Sequence, residues 1–79
     1  MKPKIGTMVL YRFSKADEVY NNFGSLAPAM IVRVWSENVV NLKVLTDGDS
    51  DIWKTSVPHG DQIGEWSWLD PDGEKAVSA

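Results

Sequence analysis

Ala29-Met30-Ile31-Val32-Arg33-Val34-Trp35, then Ser36-Glu37-Asn38, then Val39-Val40-Asn41-Leu42-Lys43-Val44-Leu45 is the stretch on which the reading of the fold turns. Two β-branched runs split by a short polar turn spell an antiparallel hairpin. Successive strand side chains point to opposite faces, so the second run reads cleanly, with Val40, Leu42 and Val44 toward a core and Asn41 and Lys43 outward. The first run is the best strand signal in the chain. Its reading sends Met30, Val32 and Val34 inward and Ile31, Arg33 and Trp35 to the other side.

Upstream, Gly6 leads into Thr7–Phe13, a β-branched and aromatic run read as the first strand, with Val9 inward. Ser14 to Pro28 is then a long connection for so short a chain, a feature that often carries function. Ala16 to Tyr20 has room for one helical turn, which Asn21-Asn22-Phe23-Gly24 would stop. Downstream, Thr46-Asp47-Gly48-Asp49-Ser50-Asp51 is a turn cluster in which Asp47-Gly48 is a strong reversal signal. Ile52–Val57 is the fourth strand, with Ile52 and Val57 in the core, and Pro58 halts it. His59–Gly64 reads as a loop or one tight 3₁₀ turn. Glu65–Leu69 is a fifth short strand in which Trp66 and Trp68 alternate with Ser67, and Asp70-Pro71-Asp72-Gly73 ends it before a frayed tail. Five short strands without a long helix predict a small, strongly bent antiparallel barrel, closure being the usual answer to edge exposure at this size. No linker divides residues 1–79, so the expectation is one domain with an ordered core over about 5–70.

Composition narrows the function. With 79 residues and no cysteine, disulfides, thiolate metal sites and a cysteine nucleophile are excluded. A chain this short buries only about 60–65% of its unfolded surface, and its 43% hydrophobic content, with four tryptophans, must supply the core. The net charge is −3, but residues 1–45 balance at +3 and residues 46–79 at −6. That distribution argues against a duplex-nucleic-acid binder, which needs a concentrated basic footprint, and permits head-to-tail complementarity between copies. No apolar run is long enough to span a membrane, and the basic Met1-Lys2-Pro3-Lys4-Ile5-Gly6 leads into no signal-type apolar core, so a cytoplasmic origin is expected.

The chemistry-bearing residues form no catalytic pattern. Asp47, Asp49 and Asp51 alternate as calcium ligands do, but the glycine is second rather than sixth and the flanks are strands, so a solvated hairpin turn is expected. His59 is the only histidine, and Ser56, His59 and Asp61 lack a nucleophile elbow. The glycines are scattered and cradle no phosphate. No catalytic, cofactor or metal residue is therefore assigned. The aromatics admit two readings. In one, Trp35, Trp53 and Trp66 plug the barrel ends while Trp68 caps an edge; in the other, two or more form a docking surface, tryptophan being enriched at such hot spots. The docking candidates are Tyr20, Phe23, Trp53, Trp66 and Trp68. A single-stranded nucleic-acid platform is disfavoured by Asp51, Glu65 and Asp70 beside those rings.

Taken as a string, Pro28–Ser36, Val40-Asn41-Leu42-Lys43-Val44, Asp47-Gly48 and Trp53-Lys54-Thr55-Ser56-Val57-Pro58-His59, closing on Glu65-Trp66-Ser67-Trp68, resembles a group of very small proteins of tailed bacteriophages and prophages. The resemblance covers roughly residues 28–68. It implies an SH3-like barrel and an accessory head, neck or tail component, located in the virion or in the host cytoplasm before assembly. Its implied partners are other phage structural proteins or further copies of the chain. The expectation drawn is a non-enzymatic docking protein, with an SH3-like adaptor for Pro-rich or basic peptides as the alternative. In that alternative, aromatic rings beside Asp47, Asp49 and Asp51 grip the ligand.

Overall fold

The computed structural model describes residues 2–22 and 24–69. The expected tail beyond Leu69, and Phe23, lie outside the described residues. In chain order the elements are β1 (Met8–Arg12), a 3₁₀ helix (Ala16–Asn21), β2 (Leu26–Val34), β3 (Val39–Val44), β4 (Ile52–Pro58) and β5 (Trp66–Trp68). All five strands join one sheet in the order β4-β3-β2-β1-β5, every neighbouring pair antiparallel.

This sheet is open, which corrects the expectation of a closed, SH3-like barrel. Its end strands, β4 and β5, touch at a single parallel bridge, His59 to Trp66, where Gly60 N–H donates to the Trp66 carbonyl at 2.8 Å. Closure needs a continuous, staggered ladder around the ring. Here β4 ends on Pro58, which has no N–H to give, and β5 is three residues long. The open edges are blunted by shortness on β5 and by Lys54, Pro58 and a bulge on β4.

The core gathers on one side of the sheet. Val9, Tyr11, Phe13, Ala27, Ala29, Ile31, Val40, Leu42, Val44, Val57 and Trp66 are buried there, with Val34, Ile52 and Trp68 packed against them. The β3 alternation is as read for Val40, Leu42 and Val44. On β2 the faces are the reverse of the expectation as far as Val32: Ala27, Ala29 and Ile31 point in, while Met30 and Val32 are each 39% exposed; beyond the register slip Val34 packs against the core as expected. Alternation cannot choose between two apolar faces; volume does. The alanines leave room for Tyr11, Phe13 and Trp66, the first two packed edge to face at 5.3 Å. Pro28 sits harmlessly within β2. Its carbonyl accepts from Leu45 N–H at 2.8 Å, so its missing donor also faces β3, at the point where β3 leaves the ladder.

Asn41 is a second correction, since it is 6% exposed rather than outward. The sheet irregularities on either side explain it. The β2–β3 register slips between Ile31 and Arg33, and the β3–β4 register slips between Val40 and Leu42. The Asn41 Oδ1 accepts from Ser56 N–H at 2.8 Å, Thr55 Oγ1 at 3.0 Å and Trp35 Nε1 at 2.8 Å. Ser56 takes a left-handed φ of 54°, unusual for a residue with a side chain, and the bond to Asn41 holds it there. Trp35 does not plug the core. It is 52% exposed, with the Arg33 guanidinium 4.0 Å above its ring.

Candidate functional site

The long connection after β1 and the turn between β3 and β4 meet at one end of the sheet, and two adjacent asparagines join them. The 3₁₀ helix ends at Asn21, and Asn22 takes the left-handed conformation that asparagine tolerates well. The buried Asn21 amide donates to the carbonyls of Leu26 (2.9 Å) and Gly24 (3.3 Å), while its Oδ1 accepts from the Asp47 N–H. Asn22 Nδ2 donates to the Asp47 carbonyl, so both backbone groups of Asp47 are held by the loop. Gly48 lets the turn come this close, because a Cβ there would lie 3.0 Å from the Tyr20 carbonyl oxygen.

Between the joined loops runs a groove of about 580 Å³. Its apolar lining is Val19, Tyr20 and Ile52, and its polar lining includes Asn22, Asp49 and Ser50. Val19 and Tyr20 are more than half exposed. Asp47, Asp49 and Asp51 are exposed on the turn, and Asp17 and Glu18 occupy the first turn of the 3₁₀ helix. Lys54 offsets part of this charge through an ion pair with Asp17 at 3.9 Å, and its ammonium lies 5.9 Å above the Tyr11 ring. Burial raises the Tyr11 pKa above its ordinary value of 10.0, and the Asp17 charge adds to the rise.

The sequence-derived docking candidates do not form one surface. Tyr20 lines the groove. Trp53, 57% exposed, stands at the end of a cross-strand row running Met8, Met30, Lys43, Trp53. Trp66 is fully buried, with its Nε1 donating to the Asn38 carbonyl at 2.9 Å, which leaves it no ring face for a partner. Trp68 packs edge-on to Trp66 at 4.9 Å and lines two clefts of about 310 and 330 Å³ beside His59. Phe23 lies outside the described residues. Val19 escaped the sequence reading because no apolar periodicity marks a one-turn helix, and Ile52 was read as core although it also lines the groove. Asn21 left no signal beyond its place in a turn-forming run.

Chemically, the groove can hold an apolar side chain and attract a cation. Away from the groove, Ser56 Oγ lies 3.4 Å from Thr55 Oγ1 and the His59 ring lies against Trp66 at 4.6 Å. Among the described residues no cluster of His, Asp and Glu is grouped to hold a metal ion, and no helix is long and apolar enough to cross a membrane. In comparisons with known proteins, no family model, no curated protein and no solved structure matches the chain. The resemblance to small phage proteins therefore rests solely on the residues quoted for it.

Proposed function

We propose that the chain is a non-catalytic protein-docking module that grips a basic, partly apolar segment of a partner in the groove between its first loop and its β3–β4 turn. The observation that carries this reading is the groove's construction: Val19 and Tyr20 exposed and Ile52 half-buried beside the acidic β3–β4 turn, with both walls tied through Asn21 and Asn22. A preformed trough spares the ordering cost that weakens binding by mobile loops. Carboxylates around an apolar lining attract Lys or Arg and reject acidic segments, which supplies specificity. Tyr20 offers a large, half-exposed ring at small entropic cost, the kind of anchor on which docking surfaces rely.

The test is a titration of the ¹⁵N-labelled chain with a synthetic peptide of alternating lysine, proline and leucine, followed by amide chemical shifts. Saturable shifts confined to residues 17–22 and 46–52, abolished by 0.5 M salt (a concentration that shrinks the Debye length to about 4–5 Å), are expected. Shifts spread evenly over the surface, or confined to the Trp53 face, would overturn the reading.

A further inference from the structure

Charge and shape on the opposite end of the molecule point to an occupant for this groove. Residues Lys4 to Thr7 form a tight turn closed by Thr7 N–H donating to the Lys4 carbonyl at 3.1 Å. Gly6 takes a φ of 93° there, a geometry that suits glycine. Ile5 stands at the turn's tip and is 70% exposed, the most exposed large hydrophobic side chain among the described residues. Lys4 beside it is exposed, Lys2 follows, and Pro3 between them is buried, which anchors the segment. The turn is thus a convex, basic, apolar knob on an ordered support.

We infer that the groove receives the Lys4-Ile5 knob of a second copy of this chain, producing head-to-tail association. Knob and groove are complementary in shape, with an exposed isoleucine against a trough lined by Val19, Tyr20 and Ile52. They are also complementary in charge. At the groove end the described acids Asp17, Glu18, Asp47, Asp49 and Asp51 outnumber Arg12, Lys15 and Lys54; at the knob end, among the described residues, Lys2, Lys4 and Arg33 outnumber Glu37, with which Lys2 forms an ion pair. One molecule cannot satisfy itself. The knob is tied to β2 at Ile31, through Gly6 N–H to the Ile31 carbonyl (2.8 Å) and Ile31 N–H to the Thr7 carbonyl (2.9 Å). The groove wall joins β2 at Leu26, about 17 Å away along an extended strand. A contact that uses different surfaces on its two sides is heterologous, so it grows into an open chain or closes into a ring. A small knob makes each contact weak, and repetition strengthens the assembly.

This inference rests on the proposed use of the groove and is tested separately from it. Sedimentation velocity of the untagged chain over a wide concentration range is expected to show mass rising past two copies, and falling back in 0.5 M salt as the rim charges are screened. Ile5→Asp and Asp49→Lys are each expected to weaken association at least tenfold. Both positions are exposed, and thermal melts of the variants check that they fold. Mixed one to one, the two variants are expected to form a species that stops at two copies, since the pair retains one intact groove and one intact knob. A wild-type chain that stays at 8.8 kDa throughout, a ceiling at two copies in the wild type, or association indifferent to both substitutions would overturn the inference. If the lysine-proline-leucine peptide still shifts the groove in that event, the docking function stands with a different occupant; if it does not, both readings fall.

Discussion

Two asparagines, Asn41 and Asn21, are each 6% exposed, and each binds together elements that the chain leaves apart. Asn41 works inside the sheet. Its carbonyl oxygen gathers three donors, from Trp35, Thr55 and Ser56, at the level where both ladders of β3 slip register. Asn21 works between loops, its amide donating to the start of β2 while its oxygen reaches the Asp47 backbone 26 residues away. The strands around Asn41 are also held by the ladders on either side of the slips and by the buried Val40 and Leu42. The two loops meet through Asn21 and its neighbour Asn22, so the shape of the groove depends on these side chains far more than the sheet depends on Asn41. Yet the energetic order should be the reverse, because the sheet's failure is global and the groove's is local.

The largest effect is expected from Asn41→Ala. It strands the Ser56 N–H in a left-handed bulge and removes an acceptor shared by three donors, and it should lower the unfolding free energy by about 2–3 kcal/mol. Urea denaturation followed by tryptophan fluorescence measures this, and a loss under about 1 kcal/mol would show that water replaces the amide there. Next comes Asn21→Ala, at about 1–2 kcal/mol. Its signature is spatial: amide exchange should quicken in residues 16–25 and 45–51 while the β2–β3 ladder keeps its protection. Uniformly faster exchange would make Asn21 a core residue like Asn41 and erase the contrast.

Trp35→Ala should be milder still, near 1 kcal/mol or below, from one hydrogen bond to Asn41 and the stacked Arg33. A buried tryptophan would cost about 3–5 kcal/mol, so the same urea series decides how much Trp35 contributes to holding Asn41. The smallest effect appears only in alkali. Tyr11 has a pKa raised by burial and by Asp17, so its neutral phenol is favoured in the folded state. An unfolded tyrosine titrates near 10.0, so the folded chain binds more protons above that pH. Tyr11's contribution is therefore complete below pH 10 and is lost as pH rises through the raised value. Melting temperatures between pH 9 and 11.5 should fall more steeply for the wild type than for Tyr11→Phe, and equal slopes would remove Tyr11 from the loop-end electrostatics.

The sequence by itself determined the strand content. Five runs rich in β-branched and aromatic residues, punctuated by Ser36-Glu37-Asn38, Asp47-Gly48 and Pro58, correspond to β1 through β5, because propensity and turn chemistry are local properties. The same locality made the β3 faces legible, where polar and apolar residues alternate. Tertiary structure decided the rest. The inner face of β2 was settled by volume, Ala27 and Ala29 yielding space to Tyr11, Phe13 and Trp66, which no pattern within β2 reveals. The burial of Asn41 follows from bulges that exist only once β2, β3 and β4 are paired. Whether the sheet closes depended on how many hydrogen bonds Pro58 and the three residues of β5 leave between the two edges. The groove is the least legible feature of all. Tyr20 is far in sequence from Asp49 and Ile52, and the three share a site because Asn21 and Asn22 can reach Asp47 only after the sheet has carried both loops to the same end.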